Sequence, residues 1–128
     1  MREIEFRGKR VDNGEWVYGF LITASYKAWI KDVYDKYTNP RTITNKYADF
    51  RCVEIIPETV GQYTGLLDKN GKKIYEGDIL QSDKGFVGKV YFEDAQWFGA
   101  KDYLGYAVEH GVEVIGNIYE NSELLKEV

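Results

Sequence analysis

Apolar and polar side chains alternate along the first twenty residues. Ile4, Phe6 and Gly8 are separated by Glu3, Glu5, Arg7 and Lys9, and after Asp12-Asn13-Gly14 the residues Trp16, Tyr18, Phe20 and Ile22 alternate with Val17, Gly19 and Leu21. A period of two marks half-buried strands, so residues 2–22 are predicted to form a β-hairpin. Asn-Gly allows more than one register. A two-residue Asn13-Gly14 loop pairs Phe6 with Leu21, whereas a three-residue Asp12-Asn13-Gly14 loop pairs Phe6 with Phe20 and Ile4 with Ile22. The second gathers Ile4, Phe6, Trp16, Tyr18, Phe20 and Ile22 on one surface, where burial contributes on the order of 1.5–3 kcal/mol per large side chain. The three-residue loop is therefore expected.

Residues 23–56 read less clearly. Tyr26, Trp29, Ile30, Val33, Tyr34 and Tyr37 follow a helical spacing, yet the segment is rich in aromatic and β-branched residues that favour strands. The expectation is a short strand over Lys27–Lys31, an irregular loop to about Asp49 and a strand over Phe50–Ile56, with a helix over 26–37 as the alternative. Asn39-Pro40 would break such a helix.

From Pro57 the pattern sharpens. Val60–Thr64 reads as a strand, and Asp68-Lys69-Asn70-Gly71 as a type I turn in which Asp accepts a local backbone hydrogen bond and Gly takes positive φ. Ile74-Tyr75 leads into Glu76-Gly77-Asp78-Ile79-Leu80, a turn feeding a strand, and Phe86–Phe92 alternates as one half-buried strand. Leu104–Glu109 and Val112–Tyr119 are expected to pair around His110-Gly111. Asn121 is placed as the cap of a short C-terminal helix from Ser122. Short strands separated by frequent turn signals indicate a β-sandwich or small barrel.

Composition fixes what this body can be. A chain of 128 residues, 44% hydrophobic and 16% aromatic, is expected to be a single domain, with residues 1–56 as a hairpin and variable-loop part and 57–128 as a barrel part. One cysteine rules out an internal disulfide, and one histidine removes multi-imidazole metal sites. The charged start, Met1-Arg2-Glu3-Ile4-Glu5, lacks the apolar stretch of a signal peptide, and no apolar run reaches the ~20 residues of a membrane span. A cytoplasmic protein without membrane contact is expected. Net charge is −4; residues 61–128 hold seven Lys/Arg against twelve Asp/Glu. That acidic half disfavours a nucleic-acid partner, which draws on clustered basic charge.

Candidate chemistry is thin. Cys52 and His110 could form a thiolate pair, but nothing in the spacing joins them, and Cys52 falls in an apolar strand pattern. Asp68-Lys69-Asn70-Gly71 invites a calcium loop, but Lys72 and Lys73 stand where ligands are needed. Glu76, Asp78 and Asp83 could support acid–base work, although an Asp beside Gly more often satisfies turn amides. No catalytic residue, metal ligand or cofactor site is assigned. Trp29, Trp97, Phe98 and Tyr103 are the candidate interface residues, because twenty aromatics exceed what a small core holds.

Two runs carry a resemblance. Val60-Gly61-Gln62-Tyr63-Thr64-Gly65-Leu66, followed by Asp68-Lys69-Asn70-Gly71-Lys72-Lys73-Ile74-Tyr75-Glu76-Gly77-Asp78-Ile79, resembles the signature of the YopX family of phage and prophage proteins. Arg2-Glu3-Ile4 with Phe6-Arg7 is similar to the family's opening, and Val114-Ile115-Gly116-Asn117-Ile118-Tyr119-Glu120-Asn121 to its close; residues 23–52 match nothing in it. The resemblance implies a mainly β fold whose C-terminal part looks like an SH3-type barrel, in a protein of bacteriophages and prophages. It brings no catalytic positions. The expectation is a mainly β protein with minor α, not an enzyme, that acts by contact with itself or with a host or phage protein. The alternative is a small β-barrel that binds nucleic acid by stacking bases on aromatics.

Overall fold

A computed structural model of the chain describes residues 3–31 and 52–126. Among the described residues the fold is mainly antiparallel β, with one short α-helix. The chain divides into two compact units, Ile4–Gln62 and Tyr63–Val128, with Glu3 belonging to the second.

In the first unit, β1 (Phe6–Lys9), β2 (Trp16–Ala24), β3 (Lys27–Lys31) and β4 (Cys52–Ile55) pair in sequence as an antiparallel ladder. The start of β5 (Gly61–Leu67) adds to β1, with Gln62 opposite Phe6 and Gly61 opposite Arg7. The ladder curls until its ends meet. Arg10 bridges to Ile55, the Ile56 N–H donates to the Lys9 carbonyl (2.8 Å), and the Val11 N–H donates to the Glu54 carbonyl (3.1 Å). Inside the curl lie Ala28, Ile30 and Ile55, fully or almost fully buried, with Phe6, Val17, Leu21 and Val60 against them. Gly8 makes the closure sterically feasible: a Cβ there would overlap Cδ1 of Ile55 and stand 3.1 Å from its Cβ.

The hairpin register differs from the one expected. Phe6 pairs with Gly19, not Phe20, and Lys9 with Trp16. The loop is Val11-Asp12-Asn13-Gly14, closed by the Arg10 N–H to the Glu15 carbonyl (2.8 Å) and the Gly14 N–H to the Arg10 carbonyl (3.0 Å). Asn13 Oδ1 accepts the Glu15 N–H at 2.9 Å, and Gly14 takes φ +72°. Because strand side chains alternate, this register turns Trp16, Tyr18, Phe20 and Ile22 away from the core and gives the inner face to Val17, Gly19 and Leu21. Two effects outweigh aromatic burial. Slender Gly8 lets the ladder close on Ile55, and the outward Trp16 ring is covered by Arg7 (4.5 Å to the ring centroid) and Lys9 (5.7 Å).

The strand expected over Lys27–Lys31 is present as β3, so the helical alternative over 26–37 fails in its described part. The loop to Asp49 lies outside the described residues. The strand expected from Phe50 is described from Cys52, as β4.

The second unit begins with β5, which pairs with β6 (Lys73–Tyr75) across the Asp68–Gly71 turn. That turn forms as expected: the Gly71 N–H donates to the Asp68 carbonyl (3.0 Å) and Gly71 takes φ +80°. β7 (Asp78–Ser82) is central in a sheet with β8 (Val87–Lys89) on one side and β12 (Val112–Asn117) on the other. β9 (Tyr91–Glu93), β10 (Gln96–Gly99) and β11 (Asp102–Tyr103) form a three-stranded meander, followed by α1 (Leu104–His110). The core is Ile74, Leu80, Val90, Ala100, Leu104, Ala107 and Val112, with Leu66, Trp97, Val108 and Val114 packed against it.

Three expectations are corrected here. Phe86–Phe92 is not one strand: Val90 is buried and bonds through its backbone to Gly77 and Asp78, so the chain leaves β7 at that point and starts the meander. Leu104–Glu109 is helical, because Leu104, Ala107 and Val108, spaced i, i+3 and i+4, all reach the core, and Gly111 at φ +100° ends the helix. The C-terminal helix is a single 3-10 turn, Ser122–Leu125, and Asn121 does not cap it; its Oδ1 accepts the Asn117 N–H instead (3.1 Å).

Candidate interaction surfaces

The meander is held by two tight turns that take residues other than glycine into positive φ: Asp94 (52°) with Ala95 (61°), and Ala100 (51°) with Lys101 (66°). Each is a two-residue loop, since Glu93 pairs with Gln96 and Gly99 with Asp102. This is the mirror-image turn that suits the strand twist and favours Asn-Gly. Replacing Asp94-Ala95 by Asn-Gly is therefore expected to stabilise the protein by about 1 kcal/mol, read as a higher thermal midpoint.

These turns set the register Tyr91–Phe98–Tyr103 across the meander. The rings stack, with centroids 5.1 Å apart for Tyr91 and Phe98 and 5.3 Å for Phe98 and Tyr103. The outer rings face solvent: Tyr91 is 36% exposed and Tyr103 58%. Lys89 lies over the Tyr91 ring at 5.8 Å. Trp97 takes the other face, where it packs against the core and meets Phe92 edge-on at 5.0 Å.

Of the interface candidates, Phe98 and Tyr103 thus share one surface, whereas neighbouring Trp97 is turned into the core. Trp29 belongs to the other unit, half-buried in β3 between Ile22 and Glu54. Tyr91 completes the ladder and was not singled out from sequence. Its signal was its distance from Phe98 across the Asp94-Ala95 turn, a turn that lacks the usual Asn-Gly.

The chemical candidates have structural duties. Asp68, 7% exposed, accepts the Asn70 and Lys72 N–H groups on Oδ1 (both 2.9 Å) and the Val114 N–H on Oδ2 (3.0 Å). Burial alone would raise its pKa, but these three amides and the nearby Lys72 charge hold it below the usual carboxylate value. A carboxylate so occupied has little left for calcium. Asp78, 2% exposed, accepts the Tyr75 N–H at 2.7 Å. Asp83 is exposed and pairs with Lys69 (3.1 Å), whose pKa is raised by that hydrogen bond. Cys52 is half-buried in β4 of the first unit, and His110 is exposed at the end of α1 in the second. Among the described residues no group of His, Cys, Asp or Glu is arranged to hold a metal ion, and no helix is long and apolar enough to cross a membrane.

Comparison with curated proteins finds no match. The family model described as YopX protein matches residues 5–126, nearly the whole chain. The chain belongs to the YopX protein family.

Proposed function

We propose that this chain is a non-enzymatic accessory protein of a phage or prophage that works in the bacterial cytoplasm through protein–protein contact, with a second copy or with a host or phage protein. The Tyr91–Phe98–Tyr103 ladder carries the reading. It is a rigid, stacked aromatic surface held on strands and turned to solvent, of the kind that anchors interfaces. The use of Asp68 and Asp78 as backbone acceptors supports a role without catalysis. Family membership supports the phage setting. The five short strands β5, β6, β7, β8 and β12 support reading the second unit as an SH3-type barrel.

The test is the double variant Tyr91→Ser/Tyr103→Ser, which removes exposed rings and leaves the core intact. Association, measured by sedimentation velocity and by co-purification of a defined partner from cells, is expected to be lost while circular dichroism stays unchanged. Association that survives the double variant contradicts the reading.

The second reading, single-stranded nucleic acid, is favoured by the outward face of β2. Trp16 lies under Arg7 and Lys9, and exposed Tyr18 and Phe20 follow along the same strand. A mobility shift of labelled single-stranded DNA or RNA that weakens with salt and with Phe20→Ala supports it. No shift at low salt removes it.

A further inference from the structure

The second unit contains a cleft of about 290 Å³ beside α1 that no role described above uses. Three of its lining residues are ring-bearing: Phe86, Tyr106 and His110. Tyr106 and His110, one turn apart on α1, stack with centroids 4.0 Å apart and planes 28° from parallel. The His110 ring is fixed by the contact of Nδ1 with the Tyr106 carbonyl at 2.9 Å. Phe86 and Tyr106 are about half exposed, at 54% and 51%, so the cleft is open to a ligand.

Two carboxylates line the same space. Asp102 Oδ1 accepts the Tyr103 N–H (2.8 Å), which leaves Oδ2 available. Asp83 is paired with Lys69 from outside the cleft. That pair is exposed and worth little, so a better-placed cation can displace Lys69. Lys84 is the only Lys or Arg in the lining. Ring faces attract cations, and carboxylates beside them select positive over negative charge. A planar guanidinium satisfies both features at once, stacking on a ring while its fork of N–H donors meets a carboxylate.

We propose that this cleft receives an arginine side chain from a partner protein. The proposal rests on the protein-contact reading and deepens it by naming the residue type the partner supplies. Its anchor lies in a different place from the Tyr91–Phe98–Tyr103 ladder, so the two claims fail separately.

The test titrates the isotope-labelled full chain with the capped tripeptide acetyl-Gly-Arg-Gly-amide, followed by amide and ring chemical shifts. The lysine and citrulline tripeptides are compared with it. Citrulline keeps the planar shape and loses the charge. Saturable shifts are expected at Asp83, Phe86, Asp102, Tyr106 and His110, with arginine about tenfold tighter than citrulline and tighter than lysine. Asp102→Asn, which keeps the acceptor for Tyr103, and Tyr106→Ala are each expected to weaken arginine binding by about tenfold. Equal binding of arginine and citrulline, shifts centred elsewhere, or indifference to both substitutions overturns the proposal. If the cleft fails while Tyr91→Ser/Tyr103→Ser still abolishes association, the contact reading stands without it. If the ladder variant changes nothing, the contact reading falls whatever the cleft binds.

Discussion

Asp68→Ala lowers folding stability by about 3–5 kcal/mol. The side chain is 7% exposed and accepts three backbone N–H groups, those of Asn70, Lys72 and Val114. Truncation leaves donors in and around a tight turn without their acceptor, and it removes the Asp68–Val114 tie to β12, leaving the Lys69 N–H to Val112 carbonyl bond to hold the two together. Urea unfolding at neutral pH measures the loss. The effect depends on pH in one direction. Asp68 has a pKa in the folded protein below that of the unfolded chain, so its ionised form contributes stability in full above about pH 4. That contribution disappears as pH falls through the folded pKa. The gap in stability between the native protein and Asp68→Ala is therefore expected to narrow as the medium is taken below pH 4. A gap that stays constant, or widens, would show that the carboxylate's charge is not what the amides hold.

Gly8→Val destabilises the first unit by about 3 kcal/mol, and Gly8→Ala by less. A Cβ at Gly8 would overlap Cδ1 of Ile55 and approach its Cβ and Cγ1 at 3.1 and 3.2 Å. Ile55 is fully buried, so it cannot swing aside into solvent. The same pair supplies a control. Ile55→Val removes Cδ1, the atom nearest the new methyl group, so Gly8→Ala is expected to cost less in the Ile55→Val background than in the native one. A double-mutant cycle by denaturant unfolding reads that coupling. Strictly additive effects would mean that β1 and β4 do not meet as the closing hydrogen bonds of Lys9 and Val11 indicate.

Sequence legibility followed the range of the forces involved. The Asp68–Gly71 turn, the strand at Lys27–Lys31 and the entry into β7 after Glu76-Gly77 depend on local chemistry, and local chemistry is written in adjacent residues. The hairpin register was not legible in this way. It depends on Ile55, far along the chain, pressing against Gly8, and on Arg7 and Lys9 covering Trp16 outside the core. Aromatic burial, counted alone, selected the wrong face. α1 was hidden because Leu104, Tyr106 and Val108 alternate like a strand, while the i, i+3, i+4 spacing of Leu104, Ala107 and Val108 was the one the core used.

The candidate surface was half legible. Phe98 and Tyr103 were identified by residue type, but only the two positive-φ turns place Tyr91 beside them and turn Trp97 inward. Those turns are built from Asp94-Ala95 and Ala100-Lys101, which lack the usual composition for that geometry. The Phe86–Tyr106–His110 cleft was not legible at all, because it depends on α1.

Site-directed photo-crosslinking in cells tests the claim of protein contact most directly. A benzophenone side chain replaces Tyr103 or Tyr91, and, as a control, Glu123 in the exposed C-terminal 3-10 turn. The account predicts discrete protein adducts, either a dimer of the chain or one defined partner, from positions 103 and 91 and none from 123. Adducts that form equally from all three positions, adducts to nucleic acid alone, or no adduct from the ladder would contradict it.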